Sequence, residues 1–386
     1  MPTAPCADRP DEESDRSGAL IVFLGGDVMT GRGVDQILPY PGDPRLWESH
    51  IGDARTYVSL AEAKNGPIPR PAPFSWPWGD ALAAVEGIGP RARIINLETS
   101  ITTGGEAAPG KEVHYRMNPA NLGCLTSFRP DICVLANNHV LDFGRLGLRD
   151  TLAALRTAGL QAAGAGNDRD EAYHPVIIPT SDSGRIVLIA SGAASSGIPA
   201  SWAATADTPG VAFLPDLSDS TADHISDRAC RAKRLGDVVV VSIHWGSNWG
   251  YHVPAAQVGF AHRLIDRGVD LIYGHSSHHP RPIEVYRGRL ILYGCGDLID
   301  DYEGISGDEE FRHDLRLLYF ASLDPASGRL AHLTITPMQS RRMRLQHAST
   351  ADSRWLRQVI EDASHPFATR IDTQADGSLT LRTVGD

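Results

Sequence analysis

Short, wholly apolar strands alternate along this chain with helical stretches, and several strands break off into a cluster of polar residues. That pattern predicts an α/β protein with its functional site at the strand ends. Three stretches carry the prediction most clearly. Ala19–Leu24 runs into Gly25-Gly26-Asp27-Val28-Met29, and Asp131–Ala136 runs into Asn137-Asn138-His139. Val269–Tyr273 runs into Gly274-His275-Ser276-Ser277-His278-His279-Pro280. A strand that ends at a glycine and releases histidines is a common way to build a metal site, because imidazole is a frequent ligand and the strand holds the loop rigid.

In chain order, residues 1–18 are polar and acidic and read as a disordered leader. The first buried strand covers 19–24. Residues 34–90 lack clear periodicity and are rich in Pro, Gly and Trp, so they read as a long functional insertion, with a helix beginning near Asp80. Arg93–Glu98 is a strand that delivers Asn96 and Glu98 on one face. The 131–136 strand is followed by a helix over 146–158 with Leu148, Leu152 and Leu155 on its apolar side. A strand at 185–190 leads into a loop region over 191–220 and a helix over 221–235. The next strand, 237–243, ends at His244-Trp245-Gly246, and a 254–266 helix leads to the histidine-rich stretch. A hairpin (283–286, 290–293) precedes the acidic run from Asp297 to Glu303. Strands at 315–321 and 331–336 follow, and the chain closes with a helix at 352–363 and a hairpin at 370–382. One domain over 19–340 is expected, with residues 341–386 as a C-terminal helix and hairpin appendage.

Composition narrows the function. The chain has 386 residues, 42% of them hydrophobic, which is enough to bury a large core. Its formal net charge is −11 and no basic run is present, so nucleic acid is excluded as an expected partner. Five cysteines, Cys6, Cys124, Cys133, Cys230 and Cys295, show no C-x-x-C spacing and point to a reducing compartment. No segment has the apolar length of a membrane span, so a cytoplasmic protein without an integral membrane segment is expected.

Together the strand ends present Asp27, Glu98, Asn138, His139, His244, His275 and His278. Mixed carboxylate, amide and imidazole donors suit a borderline-hard pair of divalent ions, Mn, Fe or Zn. Taken singly, each residue has an ordinary reading, a turn aspartate or a core histidine. It is their repetition at successive strand ends that points to a site.

Five motifs in order resemble the CapA (poly-γ-glutamate capsule synthesis) family, which is similar to the calcineurin-like metallophosphoesterases. They are Gly26-Asp27-x-Met29, Asn96-Leu97-Glu98, Ala136-Asn137-Asn138-His139 with Asp142-x-Gly144, His244-Trp245-Gly246 and Gly274-His275-x-x-His278. The resemblance covers about residues 19–320 and implies a four-layer α-β-β-α sandwich of two mixed sheets. It implies that Asp27 and His278 bind one metal, Asn138 and His275 the other, with Glu98 between them and His244 as a further ligand. His139 would be the general acid and Arg32 a clamp for the anion. Asn96, Asp142 and Asp297 would face the substrate, an acidic or phosphorylated compound.

Two departures stand out. Metallophosphoesterases carry D-x-H at the first motif, and here Met29 occupies the histidine's place, which implies either that one of the two ion sites is weaker or that only one ion is firmly held. Where many family members have a serine-leucine-glycine-asparagine-phenylalanine stretch, this chain has Gly294-Cys295-Gly296-Asp297-Leu298, with an extra acidic run after it. Two functions follow. One is a hydrolase in which metal-bound hydroxide attacks a phosphoester. The other is an accessory or transferase component of γ-glutamyl polymer synthesis with little phosphatase activity.

Overall fold

A computed structural model describes residues 19–180 and 184–382; the leader expected at 1–18 lies outside the described residues. The chain forms a mixed α/β structure built on two large mixed sheets. In the first, Leu20–Val28 is flanked on one side by the parallel strands Ala92–Leu97, Ile132–Val134 and Gln161–Ala163. On its other side the antiparallel strands Leu315–Leu323 and Leu330–Ser340 follow. In the second, Arg185–Ala193, Val238–His244, Leu271–His275 and Arg289–Leu292 run parallel, with Val176–Pro179 and Ile283–Tyr286 antiparallel at its margins.

Because successive strand residues point to opposite faces, each strand contributes to two apolar clusters. Val22, Leu24, Ile94 and Val134 of the first sheet share a cluster with Leu188, Val240, Leu271 and Tyr273 of the second. Their neighbours Phe23, Ile95 and Cys133 face away, against Val85 of the Ala81–Ile88 helix and Leu148 and Leu152 of the Gly144–Thr157 helix. Val239, Val241 and Ile243 pack with Ala222 of the Asp219–Ala232 helix and with Phe260 and Leu264 of the Ala255–Asp266 helix. Near the site the two sheets are also tied by a hydrogen bond, with the Tyr273 hydroxyl donating to the Gly25 carbonyl.

The strands expected from the sequence are present, most of them with ends shifted by a few residues. The 34–90 region differs, because it is not a structureless loop. Besides the helix expected from near Asp80, found at Ala81–Ile88, it contains the helices Arg32–Ile37 and Arg55–Asn65. The Arg55–Asn65 helix buries only Tyr57, Val58 and Ala61, too narrow an apolar stripe to show against its polar background. The 191–220 region is likewise partly ordered. The preceding strand runs on to Ala193, and Phe213–Leu214 pairs in parallel beside its end.

The C-terminal helix and hairpin extend the main structure. Leu379 and Thr380 pair with Ile335 and Thr334, so the hairpin joins the first sheet. The Thr350–Ser364 helix, capped by Ser349 accepting from the Asp352 amide, places Leu356 and Ile360 in the cluster between the sheets. Leu356→Ala should therefore lower global stability by about 2–5 kcal/mol. Chemical denaturation followed by both tryptophan fluorescence and circular dichroism should show one shifted transition, not an early separate one.

Candidate metal centre

The centre is built where the first strand meets the segment after Gly296. The Asp27 amide donates to the Gly296 carbonyl at 2.9 Å, and Asp27 stands in parallel register with Asp297. Gly26 makes this approach possible, since an added Cβ there would lie 1.9 Å from the Gly296 carbonyl oxygen. The adjacent strand adds Asn96, whose side-chain amide donates to Asp27 Oδ1 at 2.8 Å and to Glu98 Oε2 at 2.9 Å. Both amide hydrogens of Asn96 are thus committed to carboxylates, which leaves it no donor for the substrate contact expected from the sequence.

The histidines come from the second sheet. His244 and His275 end neighbouring strands in matched register, and their Nδ1 atoms lie 2.7 Å apart. His244 Nε2 is 3.0 Å from Asn138 Oδ1, and His275 Nε2 is 2.8 Å from the Ser242 hydroxyl. Ser276, at φ 109°, turns the chain sharply after His275, and its amide donates to Asp27 Oδ2 at 3.3 Å. A non-glycine residue in that region stores strain, and such strain gathers at functional sites. The turn delivers His278, whose Nδ1 lies 2.9 Å from Asp297 Oδ1.

Two groups of ligand atoms result, each within 4.8 Å: Asp27, His244 and His275, and Asp27, His278 and Asp297. All five residues are buried, and Asp27 is common to both groups. Glu98 belongs to neither group. It lies 3.8 Å from His139 Nε2 and 4.0 Å from His244 Nε2.

The electrostatics favour a cation. Burial raises Asp27 to about 7, with Asp297 adding to the shift. Burial also pushes Glu98 well above its ordinary value, again with Asp27 and Asp297 adding. Burial holds His244 well below its ordinary value, and brings His275 down to about 3, so both rings are neutral ligands in waiting. Burial would lower His278 and raise Asp297, but their pairing wins and shifts each the other way. Asp297 Oδ2 is buried with no hydrogen-bond partner among the described residues. An orphaned carboxylate oxygen, aligned with Asp27 and an imidazole, fits a divalent ion.

Comparison with known proteins gives the family of the chain. The family described as bacterial capsule synthesis protein PGA_cap matches residues 21–302. The chain belongs to that family. It is 53% identical to a probable polyglutamine synthesis accessory protein of Mycobacterium tuberculosis, over 94% of this chain and 96% of that one. It is 28% identical to the PGA biosynthesis protein CapA of Bacillus subtilis, over 70% of this chain and 66% of that one. The capsule biosynthesis protein CapA of Bacillus anthracis is 31% identical over 50% of this chain and 45% of its own length.

Within this PGA_cap chain, Asp297 takes a place that the sequence reading did not give it. Met29 is fully buried, its amide bonded to the Ile299 carbonyl at 2.7 Å and its sulfur 3.5 Å from the Tyr302 hydroxyl. Asp297 supplies a third donor beside Asp27 and His278. Its spacing from the other motifs gave no hint of this, because only the register between 27 and 297 brings it in.

His139 sits beside the ligand groups. Its Nδ1 lies 2.7 Å from Asp142 Oδ2 and 3.0 Å from Lys111 Nζ, and Lys111 also bonds Asp142. Burial brings His139 down to about 4, with Lys111 adding to the effect and Asp142 opposing it. Burial would raise Asp142, yet His139 and Lys111 hold its carboxylate below the usual range. Asp142 also accepts from the Tyr115 amide at 2.7 Å, so its oxygens are committed to the protein and not to a substrate. Lys111 lies on the 102–118 loop, where the sequence offers it with His114, Tyr115 and Arg116 as a substrate contact; its pairing with His139 and Asp142 is what motif spacing could not show.

Arg32 is placed differently from a free anion clamp. Its guanidinium is bonded by both oxygens of Asp301, by Glu48 at 2.9 Å and by the Tyr57 hydroxyl at 3.2 Å. It lines a cavity of about 250 Å³ with His278, Tyr115, Trp249 and Tyr302. Its charge is already balanced, so it holds the cavity wall in shape. Asp297→Asn should lower retained divalent metal about tenfold or more in affinity. Elemental analysis after dialysis against graded metal buffers checks this, and unchanged retention would remove Asp297 from the ligand set.

Proposed function

We propose that this chain is a metal-dependent phosphoester hydrolase acting in the synthesis of an acidic polymer. The observation that carries the reading is the convergence of two buried ligand groups on Asp27, beside His139. On this reading the fold is the four-layer α-β-β-α sandwich of the calcineurin-like enzymes, and the shared inter-sheet cluster supports it. Asp27, His244 and His275, with Asn138 adjoining, would hold one ion of Mn, Fe or Zn. Asp27, His278 and Asp297 would hold the other. Such ions supply Lewis-acid polarisation of a phosphoryl oxygen and acidify water.

The remaining residues manage protons and position. Two partners compete for His139 Nδ1. When Lys111 donates to it, the neutral ring carries its proton on Nε2, the tautomer a general acid needs. When Asp142 accepts from it, Nε2 is bare and fits a base. The buried neutral ring gives up its Nε2 proton as the Lys111 ammonium passes one to Nδ1 in the same step, which leaves a neutral imidazole and a neutral amine. Asn96 keeps Asp27 and Glu98 in register throughout, and Tyr115 packs its ring against His139 with centroids 4.5 Å apart.

A second reading is favoured by the names of the relatives, the M. tuberculosis protein that matches nearly end to end being called a probable polyglutamine synthesis accessory protein. Here the same centre serves a γ-glutamyl polymer synthase as a component with little turnover of its own. Metal analysis paired with a phosphoester assay in Mn²⁺ separates the two. The hydrolase reading expects bound metal, and turnover that His139→Ala lowers by about 10²–10⁴ while metal is retained. Lys111→Met should lower kcat with little change in KM. Bound metal without turnover by the wild type would favour the accessory role.

A further inference from the structure

A second cavity opens beside the centre, with a volume of about 410 Å³ and a lining that includes Arg45, Trp47, Glu106, Lys111, His114 and Arg116. Three cations face it against one acid, in a chain whose formal net charge is −11. Lys111 is spoken for by Asp142. The two arginines are under-compensated. Among the described residues Arg116 Nη2 is buried without a hydrogen-bond partner; the acid paired with it, Asp43, is 3.5 Å away, and the buried Asp35 acts on it from further off. Arg45 lies 3.8 Å from that same Asp43 oxygen, so two guanidiniums share one half-exposed carboxylate.

Aromatic faces hold these cations in place without neutralising them. The Arg116 guanidinium lies 4.4 Å from the Phe143 ring centroid, and that of Arg45 lies 5.3 Å from Trp47. Guanidiniums present forked donors that match carboxylates in two-pronged pairs. The cavity falls within the roughly 300–1,000 Å³ of small-ligand sites and is far larger than one phosphate requires. Lys111 belongs both to this cavity and to the His139 pair, so a group held here lies next to the reacting centre.

We propose that the Arg45–Arg116 cavity is a subsite for the carboxylates of an acidic chain, holding one unit of the polymer while a neighbouring group reaches the metal centre. The proposal rests on the acidic-substrate part of the function given above, and not on its hydrolytic chemistry. It also distinguishes an oligoglutamate from the uncharged oligoglutamine, because only the former offers anions to the two arginines.

Calorimetric titration of the full chain tests it, with a four-residue oligoglutamate, the matching oligoglutamine and inorganic phosphate as probes. Oligoglutamate should bind, oligoglutamine should not, and affinity should fall as salt rises. Arg45→Gln and Arg116→Gln should each weaken oligoglutamate binding about tenfold, and Glu106→Gln should strengthen it. Arg45 has a side chain 69% exposed, so its variant keeps the test valid if Arg116→Gln unfolds. Equal binding of oligoglutamine, binding indifferent to both arginines, or arginine-dependent binding of phosphate alone would overturn the subsite. Binding is read without turnover, so a failed phosphoester assay leaves this result standing. A working assay with no oligoglutamate binding removes the subsite alone.

Discussion

Three carboxylates, Asp27, Glu98 and Asp297, are buried together where the two sheets meet, and the rest of the site is arranged around that fact. Like charges out of water raise one another's pKa and oppose folding unless something positive or hydrogen-bonding answers them. The chain answers in part. Asn96 bridges Asp27 and Glu98, the Ser276 amide caps Asp27, and His278 pairs with Asp297. One oxygen of Asp297 accepts no geometric hydrogen bond among the described residues, with the Asp300 carboxyl near by. A divalent ion would complete that set, which is why the carboxylates read as a candidate binding site and not as a packing defect.

The backbone makes this crowding possible. Gly26 lets the first strand touch the Gly296 carbonyl, and Ser276 accepts an unfavourable φ to bring His278 round. These devices belong to different parts of the chain, and each is meaningful only against the other sheet. Tyr273, bonded across to Gly25, ties the two sheets immediately below them. Around this rigid floor the walls carry the charge pattern that a substrate meets. Arg32 is closed off by Asp301 and Glu48, whereas Arg45 and Arg116 share the half-exposed Asp43, with the buried Asp35 also acting on Arg116. Two arginine-bearing walls thus differ in kind. One is structural, and the other is open to an anion.

Much of the fold was legible because buried parallel strands are nearly pure apolar runs. Val238–His244 and Leu271–His275 could hardly be anything else. The helix Arg55–Asn65 was not legible, since it buries three residues and depends on tertiary packing for the rest of its stability. For the site, the histidines and Asp27 announced themselves by standing at strand ends. Lys111 stood out only as a loop cation that could meet a substrate, and its bonds to Asp142 and His139 depend on how that irregular loop folds back. Asp297 was noticed for its acidity, but its partnership with Asp27 depends on a parallel pairing between residues 270 apart in number.

The sequence by itself determined the alternation of strands and helices, the family and the set of donor residues, because apolar periodicity and motif chemistry are local properties. Tertiary structure alone decided which carboxylate is shared, that Asn96 and Asp142 serve the protein's own groups, and that Arg32 is neutralised while Arg116 is not. Those outcomes depend on register and on distances between sheets and loops. No pattern along one chain encodes a distance of that kind, since it arises only when separate segments are buried against each other.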